Sequence, residues 1–442
     1  MPIDPRTLHD LDIFSTAAPG GVTIFGLVNR AKSRAGSEHL RQRLASPLVD
    51  VDQIVALQCA HRELSEELAD FRRAFDIANT DAVEAYLGSR WQVPAKSGYL
   101  SRAAQSLWLS VVYTAYWREL EGAHARVAAL LGAAMDLERR LSGMKSDRLR
   151  RHGEALKVLL ESPTATDLLR HSTRRAGPAR VAFDSIARGE AQATISAIIN
   201  EIGSIEAAWS IAAATVEHGW AYPRPSGRLR VVGLVHPFVM VDAVPNDLDL
   251  GPEIRACFVT GPNMAGKSTF LKAMGVAMLL AHIGAGVPAV AMDFPVVGTI
   301  FSSVQITDSI AGGESFYLAE VRRIRALATA LADHAAAFAV IDEPFRGTNV
   351  HDASEATLAV LTRLAHRSGV LVFVASHIGE IGALVDANPH IRAIHFAADT
   401  SEVVPRFDFR VRNGVSLQRL GMTLLRQEQV LDILESSPPK SG

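Results

Sequence analysis

The stretch Val259–Phe270, VTGPNMAGKSTF, decides the fold expected for this chain. It overlaps the end of the apolar run Ala256–Val259, which predicts a short buried strand, and it leads into a helical pattern over Lys267–Ala281. Strand, glycine-rich loop and helix in this order match the pattern G-x-x-x-x-G-K-[ST] in the context that it requires. We therefore predict a loop that binds phosphate groups, and a chance glycine-rich turn is the weaker interpretation.

Each residue type in this loop has a physical reason to be there. Gly261 and Gly266 let backbone N–H groups turn toward an anion, and the helix N-terminus adds positive partial charge. Lys267 is placed to reach the β- and γ-phosphates of a nucleotide, and the Ser268 hydroxyl to bind Mg²⁺. The predicted nucleotide-contacting residues of the loop are Gly261, Pro262, Asn263, Met264, Ala265, Gly266, Lys267, Ser268 and Thr269.

An acidic pair follows a second predicted strand. The strand covers Phe338–Ile341, and Asp342 and Glu343 come directly after it. The carboxyl ends of parallel strands form the ligand-binding edge of an α/β sheet, so this pair is expected beside the phosphate loop. We expect Asp342 to hold Mg²⁺ together with Ser268, and Glu343 to orient and deprotonate the attacking water. A capping pair at a strand–loop junction is the alternative.

Two more segments add candidate residues. His377 follows the apolar run Val370–Val374 and could contact the γ-phosphate, although a structural histidine is the alternative. In Asp308–Glu320, DSIAGGESFYLAE, glycines precede Ser315 at a predicted helix start, which indicates a second anion site. Because the chain already has a phosphate loop, we infer that Ser315 reaches the nucleotide of a partner subunit. An ordinary loop-to-helix entry is the alternative.

The helix predicted after Ser315 is amphipathic. Its expected apolar face consists of Tyr317, Val321, Ile324, Ala328 and Leu331.

The composition is that of an ordinary soluble protein of two or three domains. The 442 residues are 48% hydrophobic and 21% charged, and the formal net charge of −2 argues against a generally basic nucleic-acid coat. The N-terminus lacks the apolar region of a signal peptide, and Leu107–Trp117 is too short to span a bilayer. The two cysteines, Cys59 and Cys257, have no metal-type spacing. We expect a cytoplasmic protein without a membrane partner.

Periodicity predicts the domain organisation. The expected parts are an irregular lead-in at 1–21, a helical domain at 22–225, an α/β domain at 226–412, a helical segment at 413–435 and a disordered tail at 436–442.

Two basic clusters lie in the helical part. They could contact phosphates, or they could be solvated helix faces with interleaved carboxylates. Their members are Arg139, Arg140, Lys145, Arg148, Arg150 and Arg151 in the first cluster, and Arg170, Arg174, Arg175 and Arg180 in the second.

Four segments in this order resemble the ATPase domain of the MutS mismatch-repair family. They are TGPNMAGKST (Thr260–Thr269), DSIAGGESFYLAE (Asp308–Glu320), VIDEPFRGTN (Val340–Asn349) and ASH (Ala375–His377). The Asn-Met pair in the loop and RGTN after the acidic pair are more specific than the general phosphate-loop pattern. The resemblance extends to HPFV (His236–Val239), VPNDLDL (Val244–Leu250) and Thr23–Ile54, which looks like the start of the family's core or lever domain.

The resemblance implies a fold and a chemistry. The fold is an α/β P-loop ATPase domain of the ABC type, preceded by an all-α core or lever domain, and the cofactors are ATP and Mg²⁺. The family works as a dimer, so Ser315 would contact the γ-phosphate bound by the partner. It holds adenine between aromatic side chains; Phe409 matches one of them, whereas the other position is Ala243. The residues that would act within one subunit are Asn263, Lys267, Ser268, Asp342, Glu343 and His377.

Two functions stay open at this point. The first is a homodimeric, Mg²⁺-dependent ATPase that couples lever movement to double-stranded or branched DNA in repair or recombination. The second is a nucleotide-driven switch that acts on a protein partner and does not engage DNA. We find neither the family's mismatch-reading domain nor a strand-rich clamp pattern, so we expect a short bacterial MutS-like protein, and both departures favour the second function.

Overall fold

The structure is a computed structural model. It describes residues 3–16, 20–89, 93, 95–172, 176–239, 242–304, 316–333, 336–377, 381–382, 385, 387–399, 405–416, 418, 425–426 and 429–435. The chain forms two compact units. The α/β unit comprises Met1–Ile24, Ala45–Ile54 and His218–Gly442, and the helical unit comprises Phe25–Leu44 and Val55–Glu217.

Helices account for the chain up to residue 217. They are α1 (Pro5–Asp10), α2 (Ile24–Val28), α3 (Arg34–Ala45), α4 (Val51–Glu66), α5 (Leu68–Ala78), α6 (Thr80–Leu87), α7 (Tyr99–Val112), α8 (Thr114–Ser142), α9 (Asp147–Leu160), α10 (Pro163–Ser172), α11 (Gly177–Arg188) and α12 (Gln192–Glu217). Asp50 caps α4 by accepting a hydrogen bond from the backbone N–H of Gln53 at 2.9 Å. α7 and α8 are separate helices, because Tyr113 leaves helical geometry (φ −118°, ψ 56°).

One apolar core holds the helical unit together, and a buried polar network lies within it. Leucine, isoleucine and alanine side chains of α5, α8, α9 and α12 form most of this core. Asp184 on α11 is 2% exposed, and it accepts hydrogen bonds from the hydroxyls of Tyr86 (2.6 Å) and Tyr116 (3.0 Å). Arg188 Nε lies 3.0 Å from Asp184 Oδ1. Both carboxylate oxygens of this buried aspartate therefore have partners.

The α/β unit contains two sheets and a small strand pair. Its strands are β1 (Arg224–Pro225), β2 (Leu229–Leu234), β3 (Asn246–Leu250), β4 (Ala256–Thr260), β5 (Ala291–Phe294), β6 (Thr299–Ser303), β7 (Ala337–Asp342), β8 (Val370–Ala375), β9 (Ile391–His395), β10 (Ala398–Asp399), β11 (Arg406–Phe407) and β12 (Arg412–Asn413). Its later helices are α13 (Lys267–His282), α14 (Phe316–Asp333), α15 (Val350–Ala365) and α16 (Val430–Glu435).

The six-stranded sheet positions the residues of interest. Its strand order is β12-β9-β4-β8-β7-β6, and β9, β4, β8, β7 and β6 run parallel. β4 lies between β8 and β9, and every residue of β4 and β8 is buried, which explains their continuous apolar sequence. The carboxyl ends of β4, β7 and β8 therefore open on one edge of the sheet. The phosphate loop, the acidic pair and His377 follow these three ends.

Some local predictions were wrong. Residues 1–21 include helix α1, whose N-cap Asp4 accepts hydrogen bonds from the N–H groups of Arg6 and Thr7, with Pro5 in the first turn. The HPFV segment contains a turn at Pro237–Phe238, and the next strand along the chain is β3. Of the segment 413–435, helix α16 is described, and the tail 436–442 lies outside the described residues.

The buried face of α14 also differs from the expected one. Val321 is 37% exposed, whereas Glu320 and Arg323 are 1% and 7% exposed. Arg323 donates hydrogen bonds to Ser302 O (from Nε, 3.1 Å), to Asp4 Oδ1 (2.8 Å) and to the Thr7 hydroxyl (2.9 Å). Buried charges thus occupy positions that the amphipathic pattern assigned to solvent, because each has partners from distant parts of the chain.

Among the eight members of the two basic clusters that the structure describes, five form ion pairs with carboxylates: Arg139, Arg140, Arg150, Arg170 and Arg180. Arg140 lies 2.9 Å from Asp136 and 3.3 Å from Glu67, and Arg170 lies 3.1 Å from Asp167. Arg150 pairs with Asp147, and Arg180 pairs with Glu121. Arg174 and Arg175 lie outside the described residues. Among the helices that the structure describes, none is long and apolar enough to cross a membrane.

Candidate nucleotide-binding site

The loop between β4 and α13 has a backbone that depends on glycine. Gly261 has φ +138°, and a Cβ atom there would lie 2.5 Å from the carbonyl oxygen of Phe396. Gly266 has φ +101° and forms the N-cap of α13. Met264, at the outer part of the loop, also has positive φ (+68°), and its side chain is 73% exposed. The loop therefore turns tightly between a buried strand and a helix N-terminus, as the sequence predicted.

Lys267 folds back across the loop. Its side chain is only 5% exposed, and its Nζ donates hydrogen bonds to the carbonyl oxygens of Gly261 (2.8 Å) and Pro262 (3.0 Å). Burial lowers the pKa of Lys267, while the nearby carboxylates of Glu343 and Asp342 oppose this shift. A desolvated ammonium group inside a glycine-rich loop is suited to bind a multiply charged anion.

Ser268 and Asp342 form the next part of the site. The Ser268 hydroxyl donates a hydrogen bond to Asp342 Oδ2. Burial raises the pKa of Asp342, whereas the hydrogen bond from Ser268 lowers it. The second oxygen, Asp342 Oδ1, is buried without a hydrogen-bond partner. A buried carboxylate oxygen costs free energy unless something binds it, so this arrangement fits a hard cation, which prefers oxygen ligands.

Glu343 lies at the strand end next to Asp342. Its backbone N–H donates to Ala375 O at 2.8 Å, which ties the residue to the end of β8. Arg346 Nη1 donates to Glu343 Oε2 at 3.4 Å, and His377 Nδ1 lies 3.9 Å from Glu343 Oε1. The Glu343 side chain is 16% exposed, whereas His377 is 54% exposed. The acidic pair and His377 thus come together at the edge of the sheet that the sequence indicated.

Most of these residues line a cleft of about 690 Å³, whereas His377 is not among the lining residues. It is lined by Asn263, Met264, Gly266, Lys267, Ser268, Thr269, Asp342, Glu343 and Phe409, among the predicted site residues. Gly261, Pro262 and Ala265 are buried beneath the loop and do not line the cleft. Ser315 lies outside the described residues. A cleft of this size is typical of small-molecule sites.

One wall of the cleft, next to the loop, comes from a distant part of the sequence. Phe409 has φ +54° and is 43% exposed, and Ala243 lines the same cleft. Asn246 holds this wall in place: its Nδ2 donates to Phe409 O (3.0 Å), and its Oδ1 accepts from the N–H of Val411 (2.7 Å). Asn246 lies in the VPNDLDL segment, and this structural role was not predicted.

Two further lining or supporting residues were missed. His236 lines the cleft, and burial lowers its pKa to about 4, with the positive charge of Lys272 adding to the effect. Glu320 lies behind the acidic pair and accepts hydrogen bonds from the backbone N–H groups of Arg346 (3.1 Å) and Gly347 (3.2 Å). Burial raises the pKa of Glu320, and these two hydrogen bonds lower it. Asn349, the last residue of the RGTN segment, caps α15 by accepting from Asp352 N at 2.9 Å.

A parallel sheet with a glycine-rich loop between β4 and α13, a buried loop lysine and an acidic pair on a neighbouring strand end defines a P-loop nucleotide-binding domain. Comparison with known proteins narrows this class. Residues 257–435 match the family model described as MutS domain V. Over these residues the chain is therefore MutS-like.

Curated relatives give the same result. The chain is 31% identical over 241 residues to the DNA mismatch repair protein MutS 2 of Halobacterium salinarum, and 33% identical over 251 residues to the DNA mismatch repair protein MutS of Thermus thermophilus. It is 29% identical over 240 residues to the MutS protein of Persephonella marina. These matches cover 54%, 56% and 52% of this chain, but only 28%, 30% and 27% of the relatives. The similarity thus concerns less than a third of each relative.

Proposed function

We propose that this protein is a Mg²⁺-dependent ATPase of MutS type. The single observation that carries the proposal is the pairing of Ser268 with Asp342 beside the buried Lys267, with Asp342 Oδ1 left without a partner. Ser268 and Asp342 would hold Mg²⁺, which, when bound, neutralises charge on the β- and γ-phosphates. An isolated buried carboxylate oxygen next to a hydroxyl supplies the kind of ligand that this ion prefers.

Other residues of the chain would bind the phosphates and activate the attacking water. Lys267 exchanges its two carbonyl partners for phosphate oxygens, and the loop N–H groups and the N-terminus of α13 add positive partial charge. Glu343 accepts a proton from the attacking water and orients it. Arg346 donates a hydrogen bond to the Glu343 carboxylate and so helps to fix its direction. His377 lies 3.9 Å from this carboxylate, and its exposed side chain would contact the terminal phosphate.

We expect the adenine base to stack on an aromatic side chain on one of its two faces only. Phe409 offers an aromatic face to the cleft, and the position that would supply a second face is Ala243. Asn246 fixes the backbone on both sides of Arg410, so the ring of Phe409 is presented from a held loop. Adenine would therefore stack on one side only.

We also propose that the site is completed across a homodimer. The support is the segment DSIAGGESFYLAE, in which Ser315 follows the glycines and resembles the family's signature position. Ser315→Ala and Lys267→Ala subunits should each be inactive alone, and mixing them should restore activity at one intact site per mixed dimer. Activity that stays at the level of the separate variants at all mixing ratios would count against shared sites.

We propose that the ATPase cycle acts on DNA, because the relatives named above are DNA mismatch repair proteins. ATP binding and hydrolysis would move the helical unit between states that differ in DNA affinity. A protein-interaction switch is the second candidate, and a specific observation favours it: Arg139, Arg140, Arg150, Arg170 and Arg180 are paired with carboxylates, which reduces the positive charge that these five residues offer to phosphates.

The test is ATP turnover with and without Mg²⁺, measured alone and with duplex, mismatched and branched DNA, together with fluorescence anisotropy across salt. We expect Mg²⁺-dependent turnover that one DNA structure stimulates. An absence of Mg²⁺-dependent turnover would refute the ATPase proposal. Turnover without any DNA stimulation, combined with protein capture by a Glu343→Gln variant in ATP, would select the protein-interaction switch.

A further inference from the structure

The turn that follows the acidic pair has a strained backbone. Glu343 has φ +44° and Phe345 has φ +66°, two non-glycine residues in the left-handed region within three positions. Such residues cost on the order of 1–3 kcal/mol each and persist only when the surrounding structure holds them in place. The turn contains Glu343, which we expect to activate water, so other contacts must hold the turn in this conformation.

Glu320 on α14 holds the turn from behind. Its Oε1 accepts from Arg346 N at 3.1 Å, and its Oε2 accepts from Gly347 N at 3.2 Å, so one carboxylate binds two successive backbone N–H groups. Hydrogen bonds to an ionised acceptor are stronger than neutral ones. The side chain is 1% exposed, so water does not compete for these bonds. A second contact comes from Tyr317, whose ring centroid lies 6.1 Å from that of Phe345.

A short path of contacts leads from this carboxylate to Glu343. Glu320 holds the backbone of Arg346 in place, and Nη1 of the Arg346 guanidinium donates a hydrogen bond to Glu343 Oε2 at 3.4 Å. On the other side, Glu343 N is fixed to Ala375 O. The direction of the Glu343 carboxylate therefore depends on where the turn places Arg346, and the turn is held by Glu320.

We propose that Glu320 is a positioning residue for ATP hydrolysis: its carboxylate fixes the strained turn 343–347 so that Glu343 points into the nucleotide cleft. This inference rests on the proposed ATPase function. Glu320 itself does not line the cleft and touches no reacting group. Its removal should therefore slow the chemical step and leave nucleotide affinity in place.

The same helix offers a matched control. Arg323 lies almost one turn further along α14 and is also buried, at 7% exposure. Its partners are Ser302 O, Asp4 and Thr7, which belong to β6 and the N-terminal helix and not to the turn. Arg323→Ala thus removes a buried charge from the same face of the same helix without releasing the turn. The exposed Glu355 on α15 supplies a surface control, Glu355→Gln.

The experiment measures kcat, KM, the Kd for ATP and the free energy of unfolding for Glu320→Ala, Glu320→Gln and the two controls. Because misplacement of about 1 Å can cost 10²-fold in rate, we expect kcat to fall ~30-fold or more in Glu320→Ala. The Kd for ATP should stay within about threefold, since binding energy is unaffected. Glu320→Gln retains one acceptor oxygen and should recover part of the rate. Arg323→Ala should lower stability while kcat stays near wild type at temperatures where it is folded.

A double variant separates positioning from general destabilisation. If Glu320 acts through Glu343, then Glu320→Ala should slow Glu343→Gln no further, whereas independent effects would multiply. Multiplied effects, or an equal fall of kcat in Arg323→Ala and Glu320→Ala, would overturn the inference. Wild-type protein without ATP turnover would instead refute the proposed function, and the inference with it. Normal wild-type turnover with an unaffected Glu320→Ala would refute the inference alone.

Discussion

Asp184 in the helical unit and Asp342 in the α/β unit differ in how their buried oxygens are satisfied. Asp184 accepts hydrogen bonds from two tyrosine hydroxyls and faces Arg188, so neither of its oxygens is left over. Asp342 uses one oxygen for Ser268 and keeps the other buried without a partner. A hydrogen-bond network in which every polar atom has a partner stabilises a unique core. A buried polar atom without a partner instead indicates a site for a partner such as a ligand. The comparison separates a structural carboxylate from one that we propose to bind Mg²⁺.

The largest expected effect concerns function in the α/β unit. Glu343→Gln removes the proton acceptor but keeps the shape of the side chain, so kcat should fall by ~10²–10⁴-fold. ATP affinity should stay close to wild type. The free energy of unfolding should change by less than about 1 kcal/mol, as expected for a substitution that keeps the shape of the side chain. Single-turnover kinetics with equilibrium ATP binding and urea unfolding measure all three. Turnover near the wild-type rate would remove Glu343 as the general base.

The second prediction concerns stability in the helical unit. Asp184→Ala leaves the Arg188 charge and two tyrosine hydroxyls buried without their acceptor, which should lower the free energy of unfolding by about 3–5 kcal/mol. The affinity for ATP should not change in the fraction that stays folded. The control is Asp167→Ala, which breaks the exposed pair with Arg170 and should cost about 0.5 kcal/mol or less. A small effect of Asp184→Ala on urea unfolding would contradict the structural assignment.

The third prediction tests pH dependence in the α/β unit. His282 is fully buried; its Nδ1–H donates to Met278 O (2.7 Å), and its Nε2 accepts from Val297 N (3.0 Å). Burial lowers the pKa of His282 to about 4, below its ordinary value of 6.5. Between these values the unfolded chain binds a proton that the folded chain does not, so stability is present above pH 6.5 and declines as the pH falls toward 4.

At 1.36 kcal/mol per pKa unit, this decline amounts to about 3 kcal/mol at most. Urea unfolding at pH 7 and pH 4.5 measures it. His282→Gln cannot titrate and should show a shallower dependence of unfolding free energy on pH, even if its stability at pH 7 is lower. The same slope in both proteins would mean that other groups control the pH dependence.

The smallest expected effect concerns the wall of the cleft. Phe409→Ala removes the single aromatic face and should weaken ATP binding by about 1 kcal/mol, roughly fivefold, as expected for base stacking. Phe409→Tyr should bind like wild type, and Ala243→Phe should tighten binding by supplying a second face. Fluorescence titration with ATP and a base-free triphosphate measures the difference, because loss of stacking leaves triphosphate binding unchanged. An equal loss for both ligands would point to collapse of the loop.

Local sequence patterns predicted much of the site. β4, β7 and β8 are continuous apolar runs, and the glycines of the loop occupy positions where φ is positive, so period and residue type were sufficient. β3 was missed although Leu248 and Leu250 alternate with exposed aspartates, since a five-residue alternation is a weak signal. The N-cap Asp4 followed by Pro5 was a local signal for α1 that the sequence analysis overlooked.

Other features could not be predicted from local patterns. Glu320 and Arg323 were not included in the predicted apolar face of α14, since charged residues usually lie on the outer face of an amphipathic helix. Their burial depends on partners elsewhere: the amides of residues 346 and 347 for Glu320, and Asp4 for Arg323. The amide of Asn246 likewise meets Phe409 from across the chain. A charged residue that is buried by partners distant in sequence does not show in the hydrophobic periodicity of its own helix.

The contact between Asp4 and Arg323 has a consequence for the order in which the protein is made. The two residues are 319 positions apart, and the residues of the helical unit lie between them in sequence. At ~5–20 residues per second, a ribosome needs roughly 15–60 s to pass from one to the other. Until residues 302–304 have been made, Thr7 and Asp10, which are buried in the folded protein, lack the backbone N–H groups of Ser302 and Val304 as hydrogen-bond donors. The α/β unit is therefore the last to be completed on the ribosome, and its N-terminal helix must stay free of misfolding and proteolysis until then.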